Sequence, residues 1–203
     1  MSIVKLYGVS GSRALRSLWA IEEVGIDYEQ ILVDFKERSK SDEYLEINPN
    51  GRIPALVDDD VTIFESMAIN LYLAKKYGGE LYPSGPRNEA LGIQWSIWVI
   101  SEIEHLQVQC LMQKLFVAEE KRNTKLITSC ERQLLRPLAV LDNTLSKTQW
   151  LAGENFTIAD LNVSSVMLLL HRIEFDYSNF HHLTKWVNQC YDRSALHRAQ
   201  IKS

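Results

Sequence analysis

The sequence lacks the patterns that mark disulfide-rich, zinc-binding and membrane-spanning proteins. Its three cysteines, Cys110, Cys130 and Cys190, are widely spaced and form neither a CxxC motif nor a Cys/His ligand set. This spacing indicates neither a disulfide framework nor a metal site. No apolar run approaches the ~20 residues of a membrane span, and the N-terminus is too polar for a signal peptide. We therefore expect a cytoplasmic protein with reduced thiols, no metal and no membrane contact.

The chain also lacks the basic surface that binds nucleic acids. Its formal net charge is -4, and its lysines and arginines are scattered along the sequence. This distribution argues against a nucleic acid partner. Hydrophobic residues, in contrast, make up 46% of the 203 residues, which is enough for a sizeable core without disulfide bonds.

Hydrophobic patterns in the first third of the chain predict a small mixed-sheet domain. The predicted elements are a strand at 3–7, a helix ending at Gly25, a strand at 28–33, strands at 55–57 and 61–64, and a helix at 66–77. The first three form a βαβ unit, so the sheet begins parallel with a right-handed crossover. The next two strands form a hairpin.

A cluster of glycines and prolines at 78–88 marks the predicted boundary between a first domain at 1–77 and an all-helical domain at 89–203. Beyond it we expect a helix from Asn88 to about Glu119, and another with an apolar face that bends at Pro137. Two more helices should follow. Thr157 and Asp160 have the spacing of a capping box, which is a structural motif.

Two short motifs could form a binding site in the first domain. Ile53-Pro54 lies between a turn and a strand, where proline can adopt the cis form. Glu65-Ser66 begins a helix after the hairpin that returns the chain beside Pro54. A helix N-terminus with a serine hydroxyl suits a ligand carboxylate, and Glu65 suits an ammonium group. The alternative is that both residues only cap the helix.

Together, the segments 48–56 and 64–69 resemble the glutathione site of cytosolic glutathione transferases of the serine type, as found in bacteria. The resemblance extends to 6–28 and 156–160, and it implies a thioredoxin-like first domain. It also implies that the main chain of Ile53, in the Arg52-Ile53-Pro54 segment, pairs with the cysteinyl unit of glutathione. By the same resemblance, Glu65 and Ser66 contact the γ-glutamyl end and Lys40 meets the glycine carboxylate.

The glutathione thiol needs activation, because its unperturbed pKa is ~8.5 and only the thiolate is a good nucleophile. Ser10 and Ser12 are candidate hydroxyl donors at the start of the first helix. Ser12 precedes Arg16 by the spacing that serine-type relatives use, which favours Ser12 over Ser10. Tyr7 is an alternative, because some branches of the family use a tyrosine there, although a strand aromatic packed on the core is the simpler interpretation.

The resemblance implies a homodimer in which the glutathione thiolate attacks an apolar electrophile, with detoxification as the role. Glutathione is then a co-substrate. The electrophile pocket is expected on the first long helix of the second domain, at Trp98, Glu102 and His105, within a face that also carries Trp95 and Gln109. Two other hypotheses remain open from the sequence: glutathione-dependent peroxide reduction or isomerisation, and a non-catalytic interaction module.

Overall fold

The computed structural model describes residues 3–201. Contacts between residues divide them into two compact units, one formed by residues 3–83 and 192–201 and the other by residues 84–191. All strands of the described residues lie in the first unit, and the second unit is helical. The predicted fold class, an α/β thioredoxin-like domain with an all-α domain, is confirmed.

The first unit is built on a four-stranded mixed sheet. Its strands are β1 (Val4–Tyr7), β2 (Tyr28–Ile31), β3 (Ala55–Asp58) and β4 (Val61–Phe64), in the spatial order β2-β1-β3-β4. β1 pairs parallel with β2 and antiparallel with β3, which pairs antiparallel with β4. The predicted parallel start and hairpin are therefore confirmed. β2 ends at Ile31 instead of Val33, because Val33 leaves the ladder and joins an apolar cluster.

Helices α1 (Ala14–Val24), α2 (Asp42–Leu45) and α3 (Ser66–Tyr77) belong to the same unit. Leu18 and Ile21 of α1, and Ile69 and Leu73 of α3, are fully buried. The prediction for α3 matches the structure at both ends. Hydrophobic periodicity does not predict α2, because four residues are too few to show a helical repeat.

The second unit contains α4 (Pro86–Val99), α5 (His105–Phe116), α6 (Thr124–Leu145), α7 (Ile158–Arg172) and α8 (His181–Tyr191). A π-turn at Ile100–Glu104 joins α4 to α5, within the single helix predicted from Asn88. α6 continues through Pro137, and α7 begins with the predicted capping box of Thr157 and Asp160. No helix of residues 3–201 combines the length and apolarity that a membrane span needs.

The helix α9 (Ser194–Ile201) belongs to the first unit and not to the helical one. Three helices instead of the predicted two follow Leu145 in the described residues, and contacts group the last of them with residues 3–83; the domain bounds 1–77 and 89–203 stay a prediction. α9 packs against α1 and buries Ala195 and Leu196. The physical reason is that α1 has an apolar face that the sheet does not fully cover, and α9 supplies the missing partner.

Two arginines near the end of the chain pair with α1, and we call this contact the α1–α9 clamp. Arg193 Nε and Nη2 donate to the two carboxylate oxygens of Glu23 at 2.6 and 2.8 Å. Arg198 donates to the carboxylate of Glu22 at 2.8 Å and to its carbonyl at 2.9 Å. Both glutamate side chains are only 9% exposed, so water screens these pairs less than it screens a fully exposed pair.

One buried carboxylate ties the β3–β4 hairpin to α3. Asp58 is 1% exposed, and its Oδ2 accepts hydrogen bonds from Tyr72 Oη at 2.7 Å, Lys76 Nζ at 2.8 Å and Tyr77 Oη at 2.7 Å. Its Oδ1 is buried without a hydrogen-bond partner among the described residues. Burial raises the pKa of Asp58, but the hydrogen bonds from Lys76 and the two phenols outweigh burial and hold the pKa below its ordinary value.

Candidate functional site

The predicted site residues of the first unit gather at one end of the sheet. The register pairs Tyr7 with both Ile31 and Ala55, and Ala55 with Phe64. The chain therefore leaves the sheet at this end after Ile31, after Tyr7 and after Phe64. It enters the sheet at the same end before Ala55. The segment after Ile31 carries Lys40, and the segment after Tyr7 carries Ser10 and Ser12. The segment after Phe64 carries Glu65 and Ser66, and the segment before Ala55 carries Arg52-Ile53-Pro54.

Two of the segments approach each other at Gly8, which follows β1. Its φ of +141° is a conformation that residues with side chains rarely adopt. A Cβ at this position would lie 2.6 Å from Ala14 Cβ and 3.5 Å from Ile53 Cβ. Glycine therefore allows the turn from β1 into α1 to pass close beside the Ile53 segment.

The segment before β3 presents main-chain atoms outside the sheet. The Ile53-Pro54 peptide bond is cis, as the sequence allowed. The β1–β3 ladder begins at Ala55, so the main chain of Ile53 does not take part in it. The side chain of Ile53 is buried in an apolar cluster with Val33. This cluster fixes the position of the Ile53 backbone.

The Arg52 carbonyl is held by two side chains that sequence reasoning missed. Tyr44 Oη donates to it at 2.7 Å and Asn48 Nδ2 donates to it at 2.6 Å. Burial raises the pKa of Tyr44 to about 12, so the phenol stays protonated and keeps its donor. Asn48 lies in the turn before Ile53-Pro54 and Tyr44 lies in α2, which hydrophobic periodicity does not predict, so neither has a visible functional pattern.

Lys40 lies against the same loop. It ends a 3-10 turn at Arg38–Lys40, and its Nζ donates to the carbonyl of Gly51. An ammonium group has three donors, so this bond leaves two for a ligand. The side chain is on the exposed surface. Lys40 therefore lies beside the Arg52-Ile53-Pro54 segment, and its contact with the glycine carboxylate of glutathione stays a prediction.

Glu65 and Ser66 form the start of α3. Glu65 has φ 72° and ψ 114°, and its side chain makes no capping hydrogen bond in the described structure. Such a backbone conformation costs about 1–3 kcal/mol in a residue other than glycine. Ser66 is buried at 6% exposure. The partial positive charge of the helix end thus remains available to an anion, and the interpretation that Glu65 only caps α3 loses its support.

Ser12 and Ser10 lie in the turn that leads into α1. Ser12 Oγ donates to the Val9 carbonyl at 2.7 Å and accepts from Ala14 N at 3.1 Å. The Ser12 hydroxyl is thereby fixed at the positive end of α1. Both serines are half-buried, and the Ser10 hydroxyl has no hydrogen bond among residues 3–201. The two serines therefore differ, because hydrogen bonds among the described residues hold the Ser12 hydroxyl in place and do not hold that of Ser10.

Tyr7, the alternative donor, packs against the apolar cluster that contains Tyr44 and Ile53. Its ring centroid lies 6.0 Å from that of Tyr44. Burial, with a smaller contribution from the Glu29 carboxylate, raises the pKa of Tyr7. These contacts are those of a core aromatic at the end of a strand.

The residues predicted for the electrophile pocket lie in the second unit. Trp98 is half-buried and meets Trp95 edge to face, with ring centroids 5.0 Å apart. Glu102 and His105 are exposed. Glu102 lies in the π-turn, which interrupts the regular spacing of three or four residues that the sequence suggests. Among residues 3–201 no group of three or more His, Cys, Asp or Glu side chains could hold a metal ion.

Two family models match the chain. The model for the glutathione S-transferase N-terminal domain matches residues 2–75, and that for the C-terminal domain matches residues 103–194. The chain belongs to the glutathione S-transferase family. The family assignment makes the protein a transferase, in agreement with the resemblance found in its sequence.

Relatives match this transferase over nearly its whole length. It is 31% identical over 209 residues to Glutathione S-transferase 1 of Zea mays, covering 98% of this chain and 96% of the relative. It is 28% identical over 201 residues to Glutathione S-transferase GstB of Escherichia coli strain K12, covering 97% of each. The theta class glutathione S-transferase from Xanthomonas axonopodis pv. citri, solved with glutathione bound, matches with a TM-score of 0.91 and 27% identity, covering 100% of this chain and 99% of that one.

Proposed function

We propose that this transferase binds glutathione at the end of its sheet and conjugates the thiolate to apolar electrophiles. The observation that carries the proposal is the convergence of four segments at that end, with a backbone outside the ladder, an ammonium group and an uncapped helix N-terminus. The relative from Xanthomonas, whose structure contains glutathione, supports this ligand.

Each part of glutathione has a chemically matched partner in this arrangement. The Ile53 main chain pairs with the cysteinyl unit in the manner of an added strand. The N-terminus of α3 and the Ser66 hydroxyl receive the γ-glutamyl carboxylate, and the Glu65 carboxylate receives its ammonium group. Lys40 supplies donors for the glycine carboxylate.

Ser12 is the proposed activating residue. Lowering a thiol pKa by about two units requires about 2.7 kcal/mol of differential stabilisation. To donate to the sulfur, the Ser12 hydroxyl exchanges its bond to the Val9 carbonyl for a charge-assisted bond to a thiolate, which is the stronger of the two. The bond from Ala14 N to Ser12 Oγ can persist and orient the hydroxyl. The N-terminus of α1 adds favourable charge.

A stripe of exposed isoleucines supports a homodimer. Ile93, Ile97 and Ile100 are 46%, 64% and 37% exposed, and their spacing of four and three residues places them on one side of α4 and the start of the π-turn that follows it. An exposed apolar stripe of this kind is typical of an interface between identical subunits. The proposal is therefore a cytoplasmic homodimer that detoxifies electrophiles, with the electrophile contacting Trp98, Glu102 and His105.

The test is conjugation of glutathione to a generic aryl halide across a pH series, with Ser12→Ala and the matched variant Ser10→Ala. We expect Ser12→Ala to lose about 10- to 100-fold in kcat/KM on the acidic side and to shift the thiol pKa toward ~8.5. Ser10→Ala should keep both. Calorimetry should show that all three proteins bind glutathione.

Two results would contradict the proposal. If the wild type binds no glutathione at millimolar concentration, the chain is better described as a non-catalytic module. If both serine variants keep full activity and an unshifted thiol pKa, the serine mechanism is wrong and Tyr7→Phe becomes the informative variant.

A further inference from the structure

The second unit contains a cavity of about 340 Å³ that the proposed glutathione chemistry does not use. It is lined by residues 145–149 at the end of α6 and by His182, Lys185, Trp186 and Gln189 of α8. Those four α8 residues recur at intervals of three and four, so they share one face of the helix. The size is within the range of small-molecule sites.

The floor of the cavity is the buried side chain of Trp186. Trp186 is 2% exposed, and its Nε1 donates to Asp160 Oδ1 at 2.9 Å. Asp160 is also part of the capping box that begins α7. The floor of the cavity is therefore fixed by a buried hydrogen-bond network and does not depend on surface side chains.

The charged residues of the lining are both lysines. Lys147 and Lys185 line the cavity together with His182, and no acidic residue does. Neither lysine ammonium has an ion pair or a hydrogen bond within residues 3–201. The side-chain amides of Gln149 and Gln189 are likewise unbonded in the part of the chain that the structure describes. Lys147, Lys185 and Gln149 are exposed to solvent, so their donors are hydrated and can exchange water for the oxygens of an anion in this space.

The carboxylates on the neighbouring elements are occupied elsewhere. Asp142 Oδ1 accepts from the backbone N–H groups of His182 and Leu183 at 2.9 and 3.0 Å, so its charge offsets the N-terminus of α8. Asp160 accepts from Trp186 and from Leu151 N at 2.9 Å. Neither carboxylate bonds to a lysine of the cavity. The end of α6 is also satisfied, because Ser146 N donates to the Asp142 carbonyl at 2.9 Å.

We propose that this cavity binds a small molecule bearing a multiply charged oxyanion of the phosphate type. Two lysine ammonium groups match a dianion as point charges, and the two glutamine amides can donate to its remaining oxygens. The site is independent of glutathione binding, so it survives if the proposed transferase mechanism is wrong.

The test is a titration of the full-length protein with pyrophosphate at low ionic strength, followed by amide and indole NMR signals. Sodium chloride at matched ionic strength is the control for screening, and citrate is the control for a carboxylate source. We expect saturable shifts at Lys147, Gln149, Lys185 and the Trp186 indole, and stronger binding of pyrophosphate than of citrate.

A pair of double variants makes the test specific. Lys147→Gln with Lys185→Gln should weaken pyrophosphate binding by about tenfold or more. Lys121→Gln with Lys125→Gln removes the same charge from exposed positions outside the cavity and should leave binding unchanged. Both should keep the far-UV spectrum and the conjugation rate of the wild type. The proposal is overturned if binding does not saturate at millimolar pyrophosphate, if the shifts lie elsewhere, if citrate binds as tightly, or if both double variants weaken binding equally.

Discussion

Replacement of Asp58 by asparagine tests how the hairpin holds α3. The change is nearly isosteric, but it removes the negative charge that Lys76 Nζ meets at 2.8 Å. Lys76 is 36% exposed, whereas the Asp58 side chain is 1% exposed. The lysine can therefore regain water in the variant, while the new amide stays buried with N–H groups that need acceptors.

The expected loss of stability follows from this difference in exposure between Lys76 and Asp58. Breaking a buried charge pair costs about 3–5 kcal/mol when the remaining charge has no access to water. Because Lys76 can be rehydrated, we expect the lower end of that range, about 3 kcal/mol. For a chain of this size, the corresponding fall in Tm is roughly 6–12 °C.

The assay is urea unfolding at neutral pH, with Tyr72→Phe and Tyr77→Phe as matched single-donor variants. Each should cost about 1 kcal/mol. The native pKa of Asp58 lies below its ordinary value, so its stabilising effect is present above the ordinary carboxyl pKa and is lost as the pH falls through the folded pKa. The penalty of the asparagine variant should accordingly shrink in acid. A loss at neutral pH no larger than that of either phenylalanine variant would refute the anchoring role.

Three further predictions concern other contacts. Gly8→Ala places a Cβ 2.6 Å from a neighbouring side chain at positive φ. We therefore expect a loss of about 3 kcal/mol in the free energy of unfolding and weaker glutathione binding by calorimetry. Gly11→Ala adds a Cβ in open space and should be tolerated. Asp160→Asn turns an amide N–H toward the donors of the capping box and should lower the unfolding free energy by about 3 kcal/mol in thermal melts. The double-mutant cycle of Arg193→Gln and Glu23→Gln should show a coupling of about 1–2 kcal/mol that decreases with salt; no coupling would mean that the clamp is not stabilising.

The elements that the sequence predicts best are those whose signals lie within a few residues of the element itself. α3 begins after a hairpin and ends at Gly78, and both signals lie within a few residues of the helix. The capping box of Thr157 and Asp160 is predicted for the same reason. The Ile53-Pro54 and Glu65-Ser66 motifs have defined positions relative to the hairpin, so their placement at one end of the sheet could be derived before the register was known.

The features that the sequence does not predict depend on distant residues. The return of α9 to the first unit rests on contacts with α1, and no local pattern identifies Arg193 as the partner of Glu23. The π-turn at Ile100–Glu104 lies between two α-helices and contains no glycine or proline to mark it, so a search for helix boundaries does not reveal it. Tyr44 and Asn48 support the Arg52 carbonyl, but one lies in a short helix and the other in a turn, and neither residue type is unusual there.

The α1–α9 clamp has a consequence for synthesis of the chain on the ribosome. Glu23 and Arg193 are 170 residues apart. At translation rates of about 5–20 residues per second, the later residue is added on the order of 10–30 s after the earlier one. Once residue 77 has been made, the nascent first unit has its sheet and α3 but not the helix that covers α1. The growing chain therefore exposes a face of α1 until α9 has been made, and this face is a natural binding site for chaperones.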